Sequence, residues 1–410
     1  MHPRPVESEQ RVTPLELFFD LVLVFAITQV TGFLADHSTG DGLLRGLMLL
    51  ATLWWAWAAY AWLTNALDPE EVGVRLAMFG SMAALLVVAL ATPKAFERDA
   101  VAFGVAYFVV RALHLVLYGI GARGDPDLLR AVARFTPTAV LGPALIVIAG
   151  FFDGTPELVL WAAALAIDYI GAALAGGRGW RISPEHFVER HGLVIIIALG
   201  ESIVALGVGA AGLPLDAGTI VAALLGIVVV AALWWAYFDW VIFVSQARLT
   251  EATGAERAVL ARDLYSYLHL PMVAGIVLFA LGLEETLAHA GSPLPPIPAI
   301  GLYCGLAAYF LAHVALRLRI GGGLGHGRPA AGVVLIAMLP LTGALPALAS
   351  LGLVAAVCVA LIAYEAIRYR YARAWIRSRR GAFTREEVSR IAPIRGGRPP
   401  GEPDGASEAG

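Results

Sequence analysis

The chain reads as an all-α integral membrane protein of about twelve transmembrane helices in two tandem six-helix halves, and three observations lead there. Of its 410 residues, 59% are apolar and only 15% are charged, a balance more apolar and less charged than that of ordinary soluble domains. The apolar residues gather in runs of about 20, the length a helix needs to cross about 30 Å of hydrocarbon. Short blocks from the first half of the chain also return in the second.

The first six spans are expected near 15–35, 43–64, 72–92, 100–121, 131–151 and 157–175. The second six follow near 191–211, 218–244, 266–288, 297–320, 330–349 and 351–370. Arginine sets the orientation, because Lys and Arg in short loops stay on the cytoplasmic side while acidic residues contribute little. With the N-terminus inside, the cytoplasmic connections hold Arg123, Arg130 and Arg134, then Arg178, Arg181 and Arg190, then Arg248, Arg257 and Arg262, then Arg319 and Arg328. The opposite loops hold little beyond Lys94 and Arg98. Both termini are therefore expected in the cytoplasm and the chain in a bacterial inner (plasma) membrane. The first apolar segment is full length, opens with Glu16 and Asp20 and lacks a small-residue cleavage site, so it reads as a retained helix. Cys304 and Cys358 fall inside spans and read as small apolar side chains.

The repeat is carried by Leu53–Trp57 (Leu-Trp-Trp-Ala-Trp), which returns as Leu233–Tyr237, and by Ala106–Phe108, which returns as Ala308–Phe310. In these frames Arg111 corresponds to His313, and an offset of 197 pairs Asp168 with Glu365. Six spans per half is even, so both halves keep one orientation and relate by an axis along the membrane normal, the parallel-repeat arrangement. The organisation is then a cytoplasmic segment 1–14, a first half 15–175, a cytoplasmic linker 176–190, a second half 191–370, and a basic then disordered tail 371–410. The longer connection from Ser245 to Asp263 is expected to form a short surface helix.

Ionisable side chains at membrane depth cost roughly 2.5–3.5 kcal/mol each at the helix centre, so they mark function. Tyr107, Arg111, His114 and Tyr118 share one face of the fourth span, and Tyr309, His313 and Arg317 repeat the device in the tenth. Glu201 lies mid-span beside the small residues Ala198, Ser202, Ala205 and Gly209. Glu16, Asp20, Asp168, Asp239, His269 and Glu365 complete the set. Six acids face one central arginine, so each deep acid must be paired, protonated, facing water or holding a cation, and the last three states describe a proton or monovalent-cation path. A structural reading stands beside this one: Arg111 paired with Asp168 or Glu201 simply fixes helix register, and Glu16 and Asp20 at a helix start are helped by the helix dipole. The tryptophans read as packing or interfacial anchors. No zinc-binding spacing, phosphate-cradling loop or nucleic-acid-binding module is present, so no metal, cofactor or nucleic acid is expected. Around Trp375 the tail is strongly basic and suits anionic lipids at the membrane surface.

Thr13–Ala26 (Thr-Pro-Leu-Glu-Leu-Phe-Phe-Asp-Leu-Val-Leu-Val-Phe-Ala), His186–Leu193 (His-Phe-Val-Glu-Arg-His-Gly-Leu) continuing through Leu199–Ile203, and Tyr265–His269 resemble the bacterial low temperature requirement protein A family. The resemblance covers the chain up to about Arg380. It implies a multi-spanning membrane protein with a role in growth at low temperature, and it transfers no catalytic residue. Glu16, Asp20, Glu189, Arg190, His191, Glu201 and His269 lie in the matching blocks.

The expectation is a proton- or cation-coupled secondary transporter. Glu201 binds the coupling ion, Arg111, His114 and His313 flank the path, and Asp168 and Asp20 act as relay or partner. One alternative is a membrane-embedded enzyme acting on lipid, with Glu16, Asp20, Glu189, Arg190, His191 and His269 as a cytoplasmic-side polar cluster. A second is a membrane sensor or binding protein without turnover.

Overall fold

The computed structural model describes residues 11–379. Among them are eleven helices long and apolar enough to cross a membrane and one shorter apolar helix, with no strand. In chain order they are α1 (Pro14–Asp36), α2 (Gly40–Ala66), α3 (Val72–Ala91), α4 (Ala100–Gly121), α5 (Pro126–Ala149), α6 (Thr155–Ala175), α7 (Pro184–Gly209), α8 (Ala217–Glu251), α9 (Gly254–Ala288), α10 (Pro296–Arg319), the shorter α11 (Gly327–Gly343) and α12 (Ala347–Arg368). A tail helix α13 (Arg370–Arg379) follows.

Local chemistry sets the helix starts. Proline occupies the first turn of α1, α5, α6 and α7, where its missing N–H costs nothing. Thr13 and Glu16 close a capping box on α1, with the Glu16 carboxylate accepting from the Thr13 amide at 2.9 Å. α7 begins at Pro184 after Ser183, so the second half of the expected linker is already helix. The break between α11 and α12 falls at Pro346, earlier than the pattern of apolar residues placed it. There the first amides of α12 are satisfied by the α9–α10 loop, Ala347 donating to the Ser292 carbonyl at 2.8 Å. The stretch from Ser245 to Asp263 is not a separate surface helix. α8 continues through Glu251 and α9 begins at Gly254, so each runs 35 residues and only Ala252 and Thr253 interrupt the helical path.

Outward faces are apolar: Leu21, Leu76, Leu90 and Leu224 are exposed, as a hydrocarbon solvent requires. α2 is the most enclosed span. Within the first half α1 packs on α2 and α3, α3 on α4, α4 on α5, α5 on α6, and α6 on α2. The same order recurs in the second half: α7 on α8 and α9, α9 on α10, α10 on α11, α11 on α12, and α12 on α8. The halves meet where α1 and α2 touch α7 and α9.

The second half departs from regular helix in three π-type segments, Tyr237–Val241 in α8, Arg262–Tyr267 in α9 and Gly301–Gly305 in α10. Such segments often accompany functional positions because they re-aim side chains without ending the helix. Gly301 and Gly305 also let α10 approach α9 closely. A Cβ at either position would strike α9 backbone, at the Leu278 and Gly275 carbonyls respectively.

Candidate ion site and charge network

The contact between α1 and α7 holds a cluster of buried charge. Glu16 and Asp20 stand one turn apart on α1, and His186 and Arg190 stand one turn apart on α7, all at most 1% exposed. His186 Nε2 lies 3.0 Å from Glu16, and Arg190 Nη1 donates to Asp20 at 2.9 Å. Trp57 of α2 donates its indole N–H to the other Asp20 oxygen at 2.8 Å. The Arg190 guanidinium sits 5.6 Å from the centre of the Trp57 ring. The protonation of His186 follows from its neighbour. The Ser183 amide donates to Asn65 Oδ1 at 2.7 Å, which fixes the amide orientation, so Asn65 Nδ2 donates to His186 Nδ1 at 3.1 Å. His186 is then a neutral imidazole whose Nε2–H donates to Glu16. Two carboxyl groups surrounded by donors share one guanidinium.

Helix starts sharpen this picture. Thr13-Pro14 caps α1 and Ser183-Pro184 opens α7, 170 residues apart, and the same offset carries Glu16 to His186 and Asp20 to Arg190. The Glu16–His186 and Asp20–Arg190 contacts thus join positions at the same interval as the two helix starts.

Beyond Trp57 the interior continues as an aromatic and imidazole stack. His191 lies 4.9 Å from Trp57 and 5.4 Å from His269, ring centre to ring centre. The Tyr237 hydroxyl meets His269 Nε2 at 2.8 Å, and the Tyr237 ring lies 6.1 Å from His313. One device sets all three histidine tautomers. Nδ1 donates to a backbone carbonyl, Phe187 for His191, Leu264 for His269 and Tyr309 for His313, each at 2.8 Å. Each Nε2 is left as an acceptor. The Leu264 carbonyl belongs to the π segment of α9, five residues before His269 rather than four.

Farther along α7 is Glu201, 3% exposed. Its carboxylate accepts from the Thr28 hydroxyl of α1 at 2.7 Å. No lysine, arginine or histidine among the described residues stands at ion-pair distance from it.

The remaining residues expected on one path occupy separate places. Arg111 and Asp168 form a buried pair at 3.5 Å between α4 and α6, with the Tyr107 hydroxyl donating to Asp168 at 3.3 Å. Arg111 and His114 line a small cavity of about 60 Å³ walled by Trp55, Trp62 and Trp180. His313 lines a larger one of about 320 Å³ in the second half. Asp20 belongs to the α1–α7 junction, away from both. Glu189 faces outward on α7 and accepts from the Val12 amide at 3.1 Å, whereas Glu16, Arg190, His191 and His269 are buried together. The inventory from sequence omitted His186, Asn65 and Trp57, although the offset of 170 marks the first, and it omitted Glu157, buried on α6 and paired with Arg45 at 3.1 Å. In the tail, α13 turns Arg373 inward to Asp239 at 2.9 Å and Glu365 at 3.1 Å, and Trp375 packs near Ala247.

Outside the spans, Asp125 caps α5 and lies 2.5 Å from Arg181. Burial works to raise its pKa, but the Leu128 amide and the Arg181 guanidinium outweigh that and hold it below the ordinary carboxylate value.

A bundle whose lipid face is apolar and whose interior carries paired and unpaired charge is a polytopic helical membrane protein. The chain belongs to the bacterial low temperature requirement A protein family, whose model matches residues 11–363. It is also similar to an uncharacterized protein of Rhizobium meliloti (strain 1021), 31% identical over 290 residues that cover 67% of this chain and 69% of the relative. No solved structure matches it.

Proposed function

We propose that the protein is a proton- or cation-coupled secondary transporter in which Glu201 holds the coupling ion. The observation that carries this reading is a carboxylate 3% exposed within a membrane span, bonded by the Thr28 hydroxyl and facing no cationic side chain at ion-pair distance among the described residues. An ionised acid in that position is costly, and a proton or a monovalent cation removes the cost.

The placement also suits alternating access. Thr28 and Glu201 belong to the same two helices as the Glu16–His186 and Asp20–Arg190 contacts, about 16 Å away along α7 at 1.5 Å per residue. In a parallel duplication, α1 and α7 are equivalent helices, and contact between equivalent positions is what residues beside a twofold axis do. The recurring neighbour order of the two halves supports the same arrangement. One cavity in each half is lined by a residue of the Arg111–His313 correspondence. Rocking one half against the other about the α1–α7 contact would change the access of Glu201 while the charged junction keeps register. Arginine-rich connections on one side favour cytoplasmic termini in a bacterial inner membrane.

The test is ion flux in proteoliposomes with a trapped pH dye and imposed proton or sodium gradients, comparing wild type with Glu201→Gln. Gradient-driven movement that the substitution abolishes in a folded protein supports the reading. Flux that is unchanged in the variant removes Glu201 from the path.

A further inference from the structure

The 320 Å³ cavity of the second half lies where α8, the end of α10, the Gly321–Gly325 loop, the start of α11, the end of α12 and the first turn of α13 converge. Its volume is that of a metabolite-sized pocket. Arg317, Arg328 and Arg373 line it, and their charges are unevenly met. Glu365 lies between two of them, 2.8 Å from Arg328 and 3.1 Å from Arg373, and Asp239 takes Arg373 from behind at 2.9 Å. Two carboxylates therefore balance Arg328 and Arg373. No carboxylate among the described residues forms an ion pair with Arg317, so among the described residues these three arginines outnumber the two carboxylates by one.

A second feature stands at the inner wall. His313 is 1% exposed and its Nδ1 is committed to the Tyr309 carbonyl, so its Nε2 is an acceptor, and that atom has no hydrogen-bond partner. A buried acceptor without a donor is costly, and a ligand that brings a hydroxyl to it removes the cost. The loop between the arginines has left-handed glycines at Gly321 (φ 81°) and Gly325 (φ 72°), which let the chain fold back over the Arg317 side chain.

We infer that this cavity is a binding site for a hydroxyl-bearing phosphate ester, with its phosphoryl oxyanion on Arg317 and its hydroxyl donating to His313 Nε2. Planar guanidinium groups suit phosphoryl oxygens because they offer parallel N–H donors. The site stands apart from Glu201 and does not depend on transport.

Binding to the purified full-length protein tests it directly. Glycerol 3-phosphate serves as the soluble probe in equilibrium dialysis, with inorganic phosphate and succinate as comparisons. Nanodiscs of phosphatidylcholine with and without phosphatidylglycerol supply the same chemistry as a lipid headgroup. The expected result is saturable glycerol 3-phosphate binding, weakened about tenfold or more by Arg317→Gln. His313→Phe should weaken glycerol 3-phosphate but leave inorganic phosphate unchanged, a pattern that general misfolding does not produce. Phosphatidylglycerol that displaces the soluble probe identifies the headgroup as the source; bound glycerol 3-phosphate undisturbed by the lipid identifies a soluble ester. Succinate binding as tightly as glycerol 3-phosphate, binding indifferent to Arg317→Gln, or no binding of either phosphate source would overturn the inference.

Discussion

Removing Arg190 should be among the most damaging single substitutions in the protein. Its Nη1 is 2.9 Å from Asp20, both groups are at most 1% exposed, and Glu16 lies 3.8 Å from its Nε. At an effective dielectric of about 20, one unit-charge pair at that separation is attracted by about 6 kcal/mol before desolvation is subtracted. The net value of the pair is smaller, but removing one partner strands the other charge, which costs about 3–5 kcal/mol. Arg190→Met strands two carboxylates, so a loss at the upper end of that range is expected, a large share of the 5–15 kcal/mol that holds a typical domain together. Asp20→Asn in the same chain removes one stranded charge and keeps an acceptor for the Trp57 indole. The double variant should therefore recover about 2 kcal/mol relative to the sum of the single changes. Reversible unfolding in mixed detergent micelles measures all four proteins of the cycle. Additivity within about 0.5 kcal/mol would refute the coupling, and with it the claim that this contact is a charge pair sealed from water.

Three further outcomes follow from the same geometry. Arg111→Gln should cost about 3 kcal/mol by stranding Asp168, and adding Asp168→Asn should return much of it, both read by detergent unfolding. Gly305→Leu should force α9 and α10 apart at Gly275 and lower the melting temperature by several degrees, whereas Gly200→Leu, where a Cβ meets nothing within 4 Å, should leave it unchanged. Asp125 is held below its ordinary pKa in the folded chain, so its contribution is present above the unfolded value near 4 and is lost as pH falls through the lower folded value. Asp125→Asn keeps a capping acceptor but lacks this limb. The variant should be less stable than wild type at neutral pH by up to about 1 kcal/mol, with the gap closing in acid, as melting scans at several pH values will show.

The spans were legible because hydrocarbon thickness dictates the length of an apolar run, and every expected span has its helix. The Ser245–Asp263 stretch was misread because its charges mimic a loop, while Ala247, Leu249, Ala258 and Leu260 are buried along it. The π segments were not legible, since an i to i+5 turn has no residue signature comparable to proline or glycine. Glu201 and Asp168 stood out by depth, Asp168 also by its offset from Glu365 and Glu201 also by its place in the family blocks. The α1–α7 junction was legible in part: Glu16, Asp20 and Arg190 were expected in one cytoplasmic-side cluster, but His186 and the pairings Glu16–His186 and Asp20–Arg190 were not. The Thr13-Pro14 and Ser183-Pro184 starts carry that register. Asn65 and Trp57 were beyond reach because single polar groups on an aromatic helix become informative only when their partners are known.

The most direct measurement of the central claim is infrared difference spectroscopy of the purified protein in lipid between acidic and alkaline buffer, with and without sodium, for wild type and Glu201→Gln. A proton or cation carrier at Glu201 should give a protonated-carboxyl band that disappears at alkaline pH or on adding sodium, and that is absent from the variant. Superimposable spectra from the two proteins, in every condition, would contradict it.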